Sequence, residues 1–236
     1  MTIIKEAFPK EEFAEASAKT ILLEIESNLQ KQAFCSIVLA GGNTPKNVYT
    51  QMVEYHSQFK IDWKRVYWFW GDERYVPMDD GDNNGLMAKK FLLDRLPVDE
   101  NLICRFNTSM SPEAAVNDAL NQIFEYFRNS TKHSFDIVLL GLGDDGHTLS
   151  LFPYSSALRH LDAEMIYAYI DEAKGTRLSM TPRLVNNAGK IYFLVTGSNK
   201  SAAFHGVFDP SKSTSEIPAK LISGSVHWLL DEEVIH

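Results

Sequence analysis

The feature that most constrains this chain is a pattern that occurs four times: a short apolar run without polar alternation, ended by glycine and then by polar side chains. The runs cover residues 34–40, 66–70, 135–142 and 191–196. A strand with one wet face alternates apolar and polar residues, so an unbroken run signals a strand covered on both faces. Helix-like stretches follow them at residues 45–55, 84–93, 112–128 and 198–208, and a longer one at 9–32 precedes the first run. In that leading segment Phe13, Ala16, Thr20, Leu23 and Ile25 recur near the 3.6-residue period, with Pro9 at the entrance and Glu11 and Glu12 in the first turn. Strands and helices in alternation predict an α/β fold, a mostly parallel sheet with helices on both faces. The 236 residues suffice for a single domain spanning 1–236, and no repeat or linker-like tract interrupts it.

Composition excludes several function classes. At 44% hydrophobic and 23% charged residues the chain has the balance of a soluble globular protein, and its apolar stretches fall far short of the roughly 20 residues that span a bilayer. The N-terminal residues show no apolar secretion segment, so a cytoplasmic protein with no membrane contact is expected. The formal charge of −8 and a pI near 5.4 give a field that repels nucleic acid, which is not expected as a partner. Any anionic ligand must then be held by a few local donors. Cys35 and Cys104 lie far apart in strand-like segments and read as buried free thiols.

In open parallel sheets, ligands bind beyond the carboxyl ends of the strands. The chemistry-bearing residues are therefore sought just after each run. After the first stands Gly41-Gly42-Asn43-Thr44-Pro45, where a glycine turn opens a helix at Pro45. Bare amide hydrogens there, with the Asn43 and Thr44 side chains, suit a phosphate; the alternative is a turn capped by Asn43 or Thr44. After the second run, Arg74 follows Gly71-Asp72-Glu73. Its guanidinium can grip a phosphate with two parallel bonds or pair with Asp72 or Glu73.

The third loop, Gly141-Leu142-Gly143-Asp144-Asp145-Gly146-His147-Thr148, spells G-x-G-x-x-G. A dinucleotide site is rejected because Pro153 interrupts the helix that pyrophosphate binding needs. The loop is better read as a glycine-rich turn presenting His147, whose side-chain type suits proton transfer near neutrality. Serine-nucleophile, P-loop and zinc-peptidase motifs are absent. Asp144, Asp145 and His147 have no second cluster of ligands to complete a metal site, so no metal is expected.

Together these loops resemble the 6-phosphogluconolactonase family. The resemblance runs through Ala40 to Pro45, through Gly71-Asp72-Glu73-Arg74-Tyr75-Val76-Pro77 with Asn84 beyond, and through the third loop continued as Leu149-Ser150-Leu151-Phe152-Pro153. Later blocks fit too: Arg177-Leu178-Ser179-Met180-Thr181 with Asn186, Thr196-Gly197 with Lys200, and Trp228-Leu229-Leu230-Asp231. The related glucosamine-6-phosphate deaminases share the Asp-Gly-His but lack the Thr-x-Ser-Leu-Phe-Pro run.

The resemblance implies a Rossmann-related sheet, no metal or other cofactor, and hydrolysis of 6-phospho-D-glucono-1,5-lactone to 6-phosphogluconate in the pentose phosphate pathway. On matching positions it implies phosphate binding by Gly41, Gly42, Asn43, Thr44 and Arg74, and a catalytic role for His147, which on acid–base grounds is expected to act as general base and then acid. Asp145 is expected to position His147, and amides of Gly143 and Gly146, or Arg177, to meet the oxyanion. The approach to Arg177, Asp171-Glu172-Ala173-Lys174-Gly175-Thr176, departs from the family's Lys-Pro-Pro-rich pattern and leaves both Lys174 and Arg177 as candidates for ligand contact.

Overall fold

The computed structural model describes residues 2–130 and 132–236. In chain order the elements are β1 (Thr2–Phe8), α1 (Phe13–Lys31), β2 (Cys35–Leu39), α2 (Asn43–Tyr55), β3 (Val66–Trp70), β4 (Asp72–Arg74), α3 (Asn84–Phe91), β5 (Ile103–Cys104) and α4 (Pro112–Asn129). There follow β6 (Ile137–Gly141), β7 (Met165–Tyr169), β8 (Thr176–Met180), α5 (Pro182–Val185), β9 (Lys190–Val195), α6 (Ser201–Phe208) and β10 (Ser225–Asp231). Seven strands form one sheet in the order β1-β10-β9-β6-β2-β3-β5, with every neighbouring pair parallel. The expected α/β class holds, and the four apolar runs are β2, β3, β6 and β9. Their unbroken apolar character has a plain cause: every residue of β2 is buried, and β3, β6 and β9 each leave only one residue partly exposed.

Strand order reverses between β2 and β6. From β2 the sheet grows through β3 to β5, and from β6 it grows through β9 to β10 and β1. The connections leaving β2 and β6 therefore part in opposite directions and open a crevice at their carboxyl ends. A buried brace fixes this junction at the far end of the strands. One oxygen of Asp136, 2% exposed, accepts the Ser36 amide at 2.9 Å and the Ser36 hydroxyl at 3.0 Å, and the other takes Lys132 Nζ at 2.7 Å.

Several elements differ from the sequence expectation. β1 lies ahead of the first segment that the sequence marks; as an edge strand it shows no buried pattern. α1 starts at Phe13 because Pro9 to Glu12 form a turn closed by the Glu12 and Phe13 amides on the Pro9 carbonyl. α2 begins at Asn43, with Pro45 in its first turn, where a missing amide hydrogen costs nothing. Cys35 is buried, but Cys104 is only half-buried because β5 is a two-residue edge strand. A second sheet, β4-β8-β7, is antiparallel and projects from the end of β3, bringing new side chains over the crevice. Among the described residues no helix is long and apolar enough to cross a membrane.

Candidate active site

The crevice holds a cavity of about 360 Å³, lined from the β2, β4, β6, β8 and β9 ends by Gly41 to Pro45, Asp72, Arg74, Asn84, Gly143, His147, Ser150, Lys174, Arg177, Thr196 and Lys200, among others. His147 and Arg74, brought by different strands, thus face one space.

The α2 side is shaped for an anion. Gly42 precedes the helix with φ of 100°, a conformation that strains any residue with a Cβ, and no side chain caps the helix start. The first intrahelical bond runs from the Lys46 amide to the Gly42 carbonyl, so the Asn43 and Thr44 amides have no intrahelical acceptor. The capped-turn alternative is thereby excluded; the Thr44 hydroxyl instead pairs with that of Thr196 at 2.8 Å. Gly41 must lack a side chain because a Cβ there would overlap the Asn84 carboxamide.

Arg74 does not pair with its neighbouring acids. Glu73 points inward, 1% exposed, and accepts the Arg74, Asn84 and Gly85 amides at 2.7 to 2.8 Å, which seats α3. Burial pushes its carboxyl up to about 7 against those three hydrogen bonds. Among the described residues the Arg74 guanidinium donates only to the Asp82 carbonyl, at 2.8 Å. In the antiparallel ladder Arg74 stands directly opposite Arg177. Two like charges in register oppose folding, and burial first and then the Arg74 charge hold the Arg177 guanidinium below its ordinary pKa. Among the described residues neither arginine has a carboxylate within 4.0 Å. Lys174, at the hairpin tip, is half committed: its ammonium lies 2.7 Å from Asp171 and over the Phe152 ring.

The third loop folds back on itself. The Gly143 amide donates to the His147 carbonyl at 2.8 Å and the Gly146 amide to the Gly143 carbonyl at 3.0 Å. Both amide hydrogens are consumed inside the turn, so the expectation that Gly143 and Gly146 supply an oxyanion hole fails; Gly146 also lies outside the cavity lining, against Ile217. What the glycines do is seat the histidine. A Cβ on Gly143 would overlap the imidazole and the Asp145 carboxylate. Only a single 3-10 turn, Ser156–Arg159, and no α-helix lies between this loop and β7, in keeping with the rejection of a dinucleotide site.

Asp145 Oδ1 takes both the His147 ring Nδ1 at 2.6 Å and the His147 amide at 3.0 Å. Burial works to raise the Asp145 carboxyl, but these hydrogen bonds outweigh it and hold the group below its usual range. An ionised carboxylate at this distance accepts a hydrogen from Nδ1, and in that tautomer Nε2 is the nitrogen with a lone pair. Phe152 packs on the ring with centroids 4.2 Å apart. Among the described residues no group of three or more His, Cys, Asp or Glu side chains is arranged to hold a metal.

The family described as glucosamine-6-phosphate isomerases/6-phosphogluconolactonase matches this chain over residues 9–229. The chain belongs to that family. A 6-phosphogluconolactonase of Synechocystis sp. is 37% identical over 203 residues, covering 84% of this chain and 82% of the relative. The solved 6-phosphogluconolactonase of Trypanosoma brucei superposes with a TM-score of 0.78 at 31% identity, over 99% of this chain and 97% of its own. That of Thermotoga maritima reaches 0.85 over 98% and 100%, at an identity of 23% that speaks for the fold. The family read from the loop motifs is thus the one found. The glucosamine-6-phosphate isomerase/6-phosphogluconolactonase fold brings the sequence-selected site residues to the crevice, except Asp145 and Gly146, which lie outside its lining in the loop that carries His147. Local sequence reading gave Ser150 and Thr196 no role, and Asp72 only that of a possible ion-pair partner of Arg74; their place in the lining depends on the second sheet and on the β9 end.

Proposed function

We propose that this chain hydrolyses 6-phospho-D-glucono-1,5-lactone to 6-phosphogluconate, the lactone-opening step of the pentose phosphate pathway, with His147 as general base and then general acid. Named 6-phosphogluconolactonases among its relatives support the activity. The observation that carries the mechanism is the contact of His147 Nδ1 with Asp145, which directs Nε2 to act as the base, in one cavity with two arginines that have no carboxylate within 4.0 Å among the described residues.

Arg74 and Arg177 together match a phosphate dianion, and the open Asn43 and Thr44 amides add donors at the helix start. Binding at that remote end fixes the ring so that water and the lactone carbonyl meet in reactive geometry. As the water oxygen bonds to C1, Nε2 takes its proton and the carbonyl oxygen becomes negative. Asp145 stabilises the imidazolium. The C1–ring oxygen bond then breaks, Nε2 returns the proton to the departing oxygen, and the new carboxylic acid ionises into solvent. The cations lining the cavity, Arg74, Lys174, Arg177 and Lys200, favour both the phosphate and the transient oxyanion.

The test is a direct assay with freshly generated lactone, following its loss against the spontaneous rate. Enzyme-dependent loss is expected; its absence, or ammonia release from glucosamine 6-phosphate in its place, would overturn the reading.

A further inference from the structure

The cavity carries one acid among its cations. Asp72 is the only Asp or Glu in a lining that includes Arg74, Lys174, Arg177 and Lys200. A carboxylate weakens any anion site it borders, and this one attracts Arg177 without closing an ion pair on it. Although Asp72 and Arg74 lie two residues apart on one face of β4, no ion pair within 4.0 Å joins Asp72 to Arg74 or Arg177 among the described residues.

Asp72 is instead held as an acceptor. Its Oδ2 takes the Ser150 hydroxyl at 2.6 Å, and Oδ1 receives no hydrogen bond from the described residues. Ser150 is itself fixed: it is 1% exposed, and its amide donates to the hydroxyl of Ser179, the register partner of Asp72. The Asp72 carbonyl accepts the Asn84 carboxamide at 3.0 Å. Ser150 belongs to the same loop as His147, so the carboxylate is tied rigidly to the catalytic turn. A fixed acceptor-only group in a sugar site matches hydroxyl hydrogens, since a carboxylate can take two or more O–H donors.

Building on the lactonase reading above, we propose that Asp72 is a specificity-determining residue that accepts hydrogen bonds from ring hydroxyls of the phosphorylated sugar lactone, with Ser150 setting its orientation. It makes the site select a polyhydroxylated ring at the cost of general anion affinity.

The two roles available to Asp72 have opposite signs in binding. Were it only a counter-charge for the arginines, Asp72→Asn would tighten every anion alike. As a hydroxyl acceptor, its replacement weakens only hydroxyl-bearing ligands. Calorimetry on wild type and D72N with orthophosphate and with 6-phosphogluconate separates them. Orthophosphate affinity should be unchanged or higher in D72N, while 6-phosphogluconate affinity and lactone kcat/KM fall about 10- to 100-fold, the range of a charge-assisted hydrogen bond. The 2-deoxy and 3-deoxy lactones should narrow the gap between the two proteins, and the more effective one marks the hydroxyl bound. S150A, a milder change, should show the same pattern at about 3- to 10-fold. Equal or tighter 6-phosphogluconate binding by D72N, or parallel loss of orthophosphate, overturns the proposal while leaving the lactonase reading intact. Wild-type protein that does not bind 6-phosphogluconate overturns both.

Discussion

Replacing Arg177 by glutamine should weaken substrate binding without weakening the fold. Arg74 and Arg177 are register partners in an antiparallel ladder, so their Cβ atoms stand about 4.5–5.5 Å apart. Two unit charges about 6 Å apart at an effective dielectric near 20 repel by about 3 kcal/mol. Arg177 is only about half buried, and Asp72, Asp82 and Glu73 attract it, so solvent screening and these acids reduce the net cost to about 1 kcal/mol at low salt. Urea denaturation of ligand-free R177Q in dilute buffer should therefore give a stability equal to wild type or up to about 1 kcal/mol higher. The lactone KM should rise about 10- to 100-fold, the worth of one charged hydrogen bond to phosphate. The stabilisation conferred by a fixed excess of 6-phosphogluconate should fall by at least about 1.4 kcal/mol, since each tenfold loss of affinity removes that much. A variant that loses 2 kcal/mol or more of ligand-free stability (roughly, on the scale of a broken structural contact) and keeps its KM would refute the view that the pair is maintained for an anion.

Three further outcomes follow from other parts of the structure. D145N keeps an acceptor near the His147 ring but loses its charge, so kcat should drop about 10-fold with KM nearly unchanged; steady-state kinetics check this, and an unaltered kcat would remove Asp145 from the mechanism. Glu73 keeps its proton up to about pH 7 when folded, whereas the unfolded carboxyl loses it near its ordinary value of 4.5. The folded state thus binds more protons across that window, and stability falls as pH rises through it. The difference in unfolding free energy between wild type and E73Q should shrink by up to about 3 kcal/mol from pH 4.5 to 7; a difference that is flat or grows with pH contradicts the assignment. D136A strips the buried Ser36 amide and hydroxyl of their acceptor and should cost about 2–4 kcal/mol in urea denaturation, while kcat stays near wild type because the brace lies at the opposite end of the strands.

The central strands were legible because burial on both faces writes itself into consecutive residues: Ile37, Val38 and Leu39 in β2 and Val138, Leu139 and Leu140 in β6 need no partner to be recognised. β1 was not, since an edge strand holding Ile3, Ile4, Lys5 and Glu6 in the open carries no such pattern. The small antiparallel sheet was equally hidden. Its strands are short, and the register that sets Arg74 against Arg177 arises from tertiary pairing of segments far apart in sequence. At the site, Gly42, Arg74 and His147 stood out because strand ends followed by glycine mark places where backbone and ligand approach closely. Whether an amide is free is a different kind of fact. The Gly143 and Gly146 hydrogens looked available in sequence and are spent within their own turn, whereas the Asn43 and Thr44 amides are open because the helix starts earlier than Pro45 suggested. The partnership of Asp72 with Ser150 gave no local signal, as their hydrogen bond joins two loops that only the folded sheet brings together.

The central claim is that His147 carries the proton while other groups hold the sugar phosphate. Its most direct test is a comparison of wild type and H147A, with kcat measured on fresh lactone and 6-phosphogluconate affinity measured by calorimetry on the same preparations. The account predicts that kcat falls about 10²- to 10⁴-fold, the usual span for removing a general base, while affinity for 6-phosphogluconate changes less than about threefold. A kcat within a factor of about two of wild type, or a loss confined to affinity, would contradict it.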